Sequence, residues 1–158
     1  MVEKMERTAC ARLRKAWEVR VRGYDDPATY FAPSASKARM QAWRDLDAPG
    51  HRIVDITARR APHLDVVLPP RDSLADRLTD EQRHCLLHAF GGNGDPMKAG
   101  IRDYFYTRRD DPHLVALAQH GLMKPMDGDQ WGEGMTYFVL TDDGKRVALS
   151  MVPEYRHD

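Results

Sequence analysis

Residues 111–145 read DPHLVALAQHGLMKPMDGDQWGEGMTYFVLTDDGK, and the order of signals within them decides the fold. Asp111 is placed to accept from the first free N–H groups of a helix, and Pro112 suits its first position, where no N–H is needed. Leu114, Leu117 and Ala118 recur at helical spacing with Val115 beside them, which predicts one buried face. Gly121 supplies a left-handed stop, and Leu122 can fold back on Leu117 in a Schellman arrangement. A short strand over 123–126, a glycine-rich loop over 127–134 and a returning strand over 135–140 follow. Thr141-Asp142-Asp143 then opens a last helix with Val147, Ala148 and Met151 inward. Asp143-Gly144 also suits a hairpin turn; the first-turn chemistry of Thr-Asp-Asp favours the helix.

Upstream, Thr79 and Gln82 stand at capping-box separation, and Asp80 and Glu81 suit the positive end of a helix dipole. That helix buries Cys85, Leu86, Ala89 and Phe90 and ends at Gly91-Gly92-Asn93-Gly94. Asp95-Pro96 is read as opening a further short helix with Met97, Ile101 and Tyr104 or Phe105 inward.

The N-terminal half has a different rhythm. Residues 2–15 read as a basic amphipathic helix, with Met5, Ala9, Leu13 and Ala16 on one side. Trp17 to Arg22 alternates apolar and charged, the period of a half-buried strand with Trp17, Val19 and Val21 inward. Residues 29–32 return as a second strand after the turn chemistry of 24–28. Ser34 or Ser36 caps a helix burying Ala35, Ala38, Ala42, Trp43 and Leu46, which must end by Pro49-Gly50. Arg52 to Arg60 forms a third strand, with Val54, Ile56 and Ala58 on one face. Val66-Val67-Leu68 adds an edge strand, and Pro69-Pro70 closes the unit.

The expected fold class is therefore α+β in two parts. Residues 1–70 form a small β-β-α-β domain with an N-terminal basic helix, and residues 71–158 form a second domain. The chain's 158 residues, 42% hydrophobic and 30% charged, describe an ordinary globular protein. No run is apolar enough to span a membrane, and MVEKMERTACARLRKAW lacks the apolar core of a signal peptide. Cys10 and Cys85 fit reduced thiols. A bacterial cytoplasm is the expected setting.

Net charge is zero but unevenly spread. Residues 1–70 carry 13 Lys/Arg against 9 Asp/Glu, a net of +4, while residues 71–158 carry 11 against 15, a net of −4. Because phosphate contacts from Lys and Arg dominate nucleic-acid affinity, the first half is the expected DNA-binding half.

The helix, Gly121-Leu122-Met123, the glycine-rich loop and Phe138-Val139-Leu140-Thr141-Asp142-Asp143-Gly144-Lys145 together resemble the end of a MarR- or PadR-like winged helix. The resemblance covers residues 78–151. The helix at 79–90, Ile101-Arg102-Asp103-Tyr104-Phe105, and the β-β-α-β unit with Ser36-Lys37-Ala38-Arg39 are similar to small proteins of phages and mobile elements. The resemblance implies a winged-helix second domain and a DNA-binding role. The chain departs from that pattern where DNA would be read: residues 112–121 contain no Arg or Lys, and the wing carries Asp127, Asp129 and Glu133.

Two functional expectations follow. The first is a non-enzymatic phage or mobile-element accessory or regulatory protein that binds DNA through Arg20, Arg22, Lys37, Arg39, Arg59 and Arg60. A solvated sheet face is the bland counterpart for these residues. The second is an inhibitor of a host nucleoprotein defence complex, anti-CRISPR-like. It would present Asp127, Asp129, Trp131 and Glu133 to a basic partner, with Trp131 either an anchor or a cover for its own hairpin. A homodimer is compatible with either. No cofactor and no catalytic set is expected. Asp80, His84 and His88 share a helical face at metal-ligand spacing, but they lack a fourth ligand and read better as the solvated side of an amphipathic helix.

Overall fold

The computed structural model describes residues 11–46, 50–128 and 132–156. Among these residues four α-helices and eight short strands build three antiparallel sheets, an α+β protein. They fall into two compact units, one of residues 12–68 with 154–156 and the other of residue 11 with 69–153.

In the first unit, β1 (Arg12–Arg14) pairs antiparallel with β5 (Val66–Leu68). This corrects the N-terminal helix over its described part. Leu13 opposite Val67 and Arg14 opposite Val66 satisfy backbone groups across two strands, whereas a short isolated helix is marginal in water. Residues 2–10 lie outside the described residues. The expected edge strand at 66–68 is present, with β1 as its partner.

β2 (Ala16–Val21) is the central strand of a second sheet, flanked by β3 (Ala28–Phe31) and β4 (Ile56–Arg60). Helix α1 (Ala35–Asp45) packs on one face of that sheet, so the β-β-α-β order stands. The Ser34 side chain accepts from the Lys37 N–H at its start. Val19, Ala32, Ala38, Ala42 and Ile56 form the core, with Trp17, Val21, Tyr30 and Leu46 packed against them. Two expected core residues are on the surface. Trp43 is 44% exposed, and its indole donates to the His51 carbonyl at 3.0 Å. Val54 is 66% exposed because residues 53–55 form a 3-10 turn that breaks the strand's alternation.

Residues 154–156 belong to this unit. Arg14, itself buried, donates from Nε to the Glu154 carbonyl at 2.8 Å. The Tyr155 hydroxyl accepts from the Lys15 N–H at 3.1 Å and donates to the Leu13 carbonyl at 3.3 Å. Arg156 reaches Asp45 at 3.5 Å.

In the second unit, α2 (Asp80–Phe90) begins with the expected capping box and ends at Gly91, whose φ of 84° is left-handed. The short helix expected from Asp95 does not form. Pro96–Lys98 is a single 3-10 turn, and β6 (Tyr104–Arg108) is a strand. Gly100 at φ 89° interrupts any helix, and Tyr-Phe-Tyr-Thr-Arg is β-branched and aromatic with alternating exposure. Helix α3 (Pro112–Gln119) is capped by Asp111, whose carboxylate accepts from the His113 and Leu114 N–H groups.

The stop of α3 is the expected one. Gly121 has φ 73°, its N–H donates to the Ala118 carbonyl, and the Leu122 N–H donates to the Leu117 carbonyl, the two bonds of a Schellman motif. β7 (Met123–Pro125) and β8 (Met135–Leu140) follow, and β8 is the middle strand in the order β6-β8-β7. Helix α4 (Asp142–Met151) starts at Thr141, so Asp143-Gly144 is helical rather than a hairpin turn. One helix, α3, lies between β6 and β7. Leu86, Leu114, Leu117, Leu122, Phe138 and Val147 form the core between α2, α3, α4 and the inner face of the sheet. No helix among the described residues is long and apolar enough to cross a membrane.

Candidate nucleic-acid interface

Alternation along β2 places Trp17, Val19 and Val21 under α1 and leaves the even-numbered residues on the opposite face. Register then decides which basic residues meet. Glu18 stands opposite Arg59, Arg20 opposite Thr57, and Arg22 donates its backbone N–H to Asp55 just beyond the paired strands. Arg20, Arg22 and Arg59 are all exposed on this face. Two carboxylates lie among them: Glu18 is 3.2 Å from Arg20, and Asp55 is 3.9 Å from Arg22 and 3.8 Å from Arg52. With Arg52 included, four guanidiniums face two carboxylates. These ion pairs are solvent-exposed on the arginine side, so they hold the arginines weakly and exchange readily for another anion.

The other three basic candidates are placed differently. Arg60 lies opposite Trp17, with its guanidinium 5.7 Å from the indole centre. It is clamped by Asp65 through two hydrogen bonds of 2.6 and 2.5 Å and donates to the Ala16 carbonyl at 2.8 Å. The Arg60 bonds, with the Ala16 N–H, lower the Asp65 pKa to about 2, and the bonds to Asp65 raise that of Arg60. Arg39 donates to the Ile53 carbonyl at 2.7 Å and is half-buried. Both hold the unit together. Lys37 is exposed in the first turn of α1.

In the second unit, Asp127 and Glu133 are exposed at the two ends of the β7–β8 loop, whereas Asp129 and Trp131 lie outside the described residues. Arg109 clasps this loop, donating from its side chain to Gly128 and from its backbone to Gly134. On α2, the Asp80 carboxylate is engaged by Arg83, and the His88 ring packs on Phe105 at 4.8 Å. Burial, then the Arg102 and His84 charges, lower the His88 pKa. Among the described residues no group of three His, Cys, Asp or Glu is arranged to hold a metal. Burial and the nearby Asp111 and Glu81 push the Cys85 thiol up, away from the reactive thiolate.

The structure also assembles a surface that the sequence-based expectations do not contain. On the outer face of the β6-β8-β7 sheet, Tyr106 stands opposite Tyr137, and Tyr104 and Lys124 both stand opposite Val139. Tyr104 and Tyr106 are 44% and 43% exposed. The Tyr137 ring lies 5.4 Å from that of Tyr104 at 73° and 4.8 Å from that of Tyr106 at 41°. The available signal is the alternation Tyr-x-Tyr in 104–106, which a helical reading of the segment hides.

No protein-family model, curated protein or solved structure matches this chain.

Proposed function

We propose that this chain is a non-enzymatic accessory or regulatory protein of the phage or mobile-element type that binds DNA, with the solvent face of the β3-β2-β4 sheet as its phosphate-contacting surface. The observation that carries this reading is the register that collects Arg20, Arg22 and Arg59 on one open face, backed by the +4 charge of residues 1–70. Arginine in that setting positions a protein on the phosphate backbone without reading sequence. Arg39 and Arg60 drop out of the contact set, since their guanidiniums are spent on internal carbonyls and Asp65.

The second unit is read as winged-helix-like on its strand order, its Schellman stop and its α4 start. It does not supply the usual reading helix: α3 offers Gln119 and His120 to solvent and no Lys or Arg. The exposed Asp127 and Glu133 favour a second reading, in which the loop meets a basic surface of a nucleoprotein complex.

A mobility shift of a DNA duplex by the full chain at two salt concentrations tests the first reading. Arg20→Ala with Arg22→Ala should weaken binding and reduce the slope of log K against log salt by about one unit for each phosphate no longer neutralised. Unaltered affinity and slope in that double variant would refute it.

A further inference from the structure

We infer that the cavity at the C-terminal end of α2 is a binding site for a phosphoryl group, carried by inorganic phosphate or by a phosphomonoester. The site lies wholly within the second unit and does not depend on the DNA-binding reading.

The cavity has a volume of about 180 Å³ and is lined by His88, Gly91, Asn93, Gly94, Ile101 and Arg102. Pockets for drug-sized ligands begin at about 300 Å³, so this one suits a compact group. Its wall is built from the last turn of α2, the glycine-rich loop after it, and the residues leading into β6. No Asp or Glu is among the lining residues.

The available donors are those the fold leaves over. Arg102 donates to the His88 carbonyl from Nε at 3.1 Å and again from Nη2. That contact fixes the guanidinium and leaves both N–H groups on Nη1 without an acceptor among the described residues. The Asn93 and Gly94 backbone N–H groups likewise have none. The His88 ring makes no hydrogen bond among the described residues, packing on Phe105 at 4.8 Å and beside His84 at 6.4 Å. Asn93 ties the loop to the helix, its amide lying 3.3 Å from His84 Nε2.

The end of a helix that exposes carbonyls ordinarily repels an anion. Here those carbonyls are occupied. His88 O accepts from the Gly91 N–H at 3.1 Å as well as from Arg102, and Leu87 O accepts from the Gly92 N–H at 3.0 Å. The flanking carboxylates are committed too: Asp95 accepts from the Met97 N–H at 3.0 Å, and Asp103 pairs with Lys145 at 3.3 Å. Arg102 itself makes no ion pair among the described residues. The charged groups bearing on His88 are Arg102 and, on its own helix, His84; Phe105 on β6 carries no charge. With burial, they hold the His88 pKa down. An anion in the cavity would offset that repulsion, so its binding and protonation of His88 should strengthen each other. A carboxylate presents two oxygens in one plane, which an arginine fork alone satisfies. Donors on three segments around one hollow suit a tetrahedral group.

The full chain is titrated with sodium phosphate, methyl phosphate and sodium acetate at constant ionic strength, with calorimetry for affinity and ring-proton NMR for His88. Saturable phosphate binding is expected, with a much weaker response to acetate and with His88 protonation moved to higher pH by phosphate. Methyl phosphate binding as tightly as phosphate or more so assigns the site to a phosphomonoester; weaker binding assigns it to the free ion. Arg102→Gln should weaken phosphate binding by about tenfold or more. Because Arg102 also anchors the helix end, Gly94→Asp is the second variant. A Cβ there meets nothing within 4 Å and φ is not left-handed, so the chain should fold while the new carboxylate repels the ligand. Gly94→Asn, of the same shape without the charge, should keep binding, and melting curves check that each variant is folded. Absence of saturable phosphate binding, an equal response to acetate, a His88 titration indifferent to phosphate, or equal affinity in Gly94→Asp and Gly94→Asn would each overturn the site.

Discussion

Gly144→Ala should destabilise the protein, against the ordinary rule for a glycine within a helix. Gly144 is in the first turn of α4, where its N–H donates to the Thr141 hydroxyl at 3.0 Å. A Cβ at this position would overlap the Leu122 carbonyl oxygen, lie 2.9 Å from the Leu122 carbonyl carbon and meet Leu140 Cδ2 at 3.2 Å. That carbonyl is not free to move, because it accepts from the Thr141 N–H at 3.1 Å, and the Thr141 hydroxyl donates to the Gly121 carbonyl at 2.7 Å. The turn that ends α3 and the turn that begins α4 are thus pinned to each other through a gap only a glycine fits. On propensity alone the substitution would gain about 1 kcal/mol. Overpacking against a fixed backbone costs about 1–3 kcal/mol, and displacing the Leu122 carbonyl forfeits a hydrogen bond worth about 1 kcal/mol. The steric overlap is with backbone, so the upper end applies and a net loss of about 2–3 kcal/mol is expected. Urea unfolding followed by circular dichroism measures it. Gly94→Ala is the control: its Cβ meets nothing within 4 Å and its φ is not left-handed, so its stability should match the wild type. A Gly144→Ala variant as stable as the wild type would refute the close approach of α4 to the α3 stop.

Gly121→Val should cost about 1 kcal/mol or more by forcing a β-branched residue to φ 73°; since the space around it is open, an unchanged melting temperature would mean that strain there is negligible. Tyr155→Phe should cost about 1 kcal/mol, through loss of the bonds to Lys15 and Leu13, and unaltered unfolding would count against the docking of residues 154–156 on the first unit. Asp65 is lowered from 3.8 to about 2 by Arg60 and the Ala16 N–H. Its contribution is therefore present above pH 4 and lost as pH falls toward 2. Asp65→Asn should lower stability at neutral pH and flatten its fall across that window, which an acid titration of unfolding free energy would reveal or disprove.

Residues whose roles are set by local chemistry are legible in the sequence. The Asp111 cap, the Thr79–Gln82 capping box and the left-handed Gly121 each depend on a few consecutive residues, and each takes the expected form. Trp17 to Val21 is legible for the same reason, since strict alternation admits one inward face. Elsewhere the outcome depends on a partner distant in sequence. Met5, Ala9, Leu13 and Ala16 have helical spacing, yet Val66–Leu68 offers Arg12–Arg14 a ladder that an isolated helix cannot match. Tyr104–Arg108 misleads because Met97, Ile101 and Phe105 fall four apart, while Gly100 and the need of β8 for a second neighbour decide for a strand. The aligned Asp72–Arg146 pair, 74 residues apart, leaves no sequence signal at all.

The arginine face shows how register divides residues that composition groups together. Arg59 and Arg60 are neighbours in a basic dipeptide, but strand alternation sends them to opposite faces of one sheet. Arg59 looks out across from Glu18; Arg60 turns in over Trp17 and meets Asp65, five residues on, at the end of the following turn. The same +1 charge is available to a ligand in one case and fixed in the fold in the other. Charge counting over residues 1–70 cannot separate them, because it weights every guanidinium equally. The tyrosine face is the converse case. Counting over residues 71–158 gives −4 and steers attention away, while β6 and β8 bring the Tyr104 and Tyr106 rings within 5.4 Å of the Tyr137 ring. Which rings share a face is set by strand register, which charge counting does not see. Net charge over a stretch of chain therefore says little about which side chains share one surface.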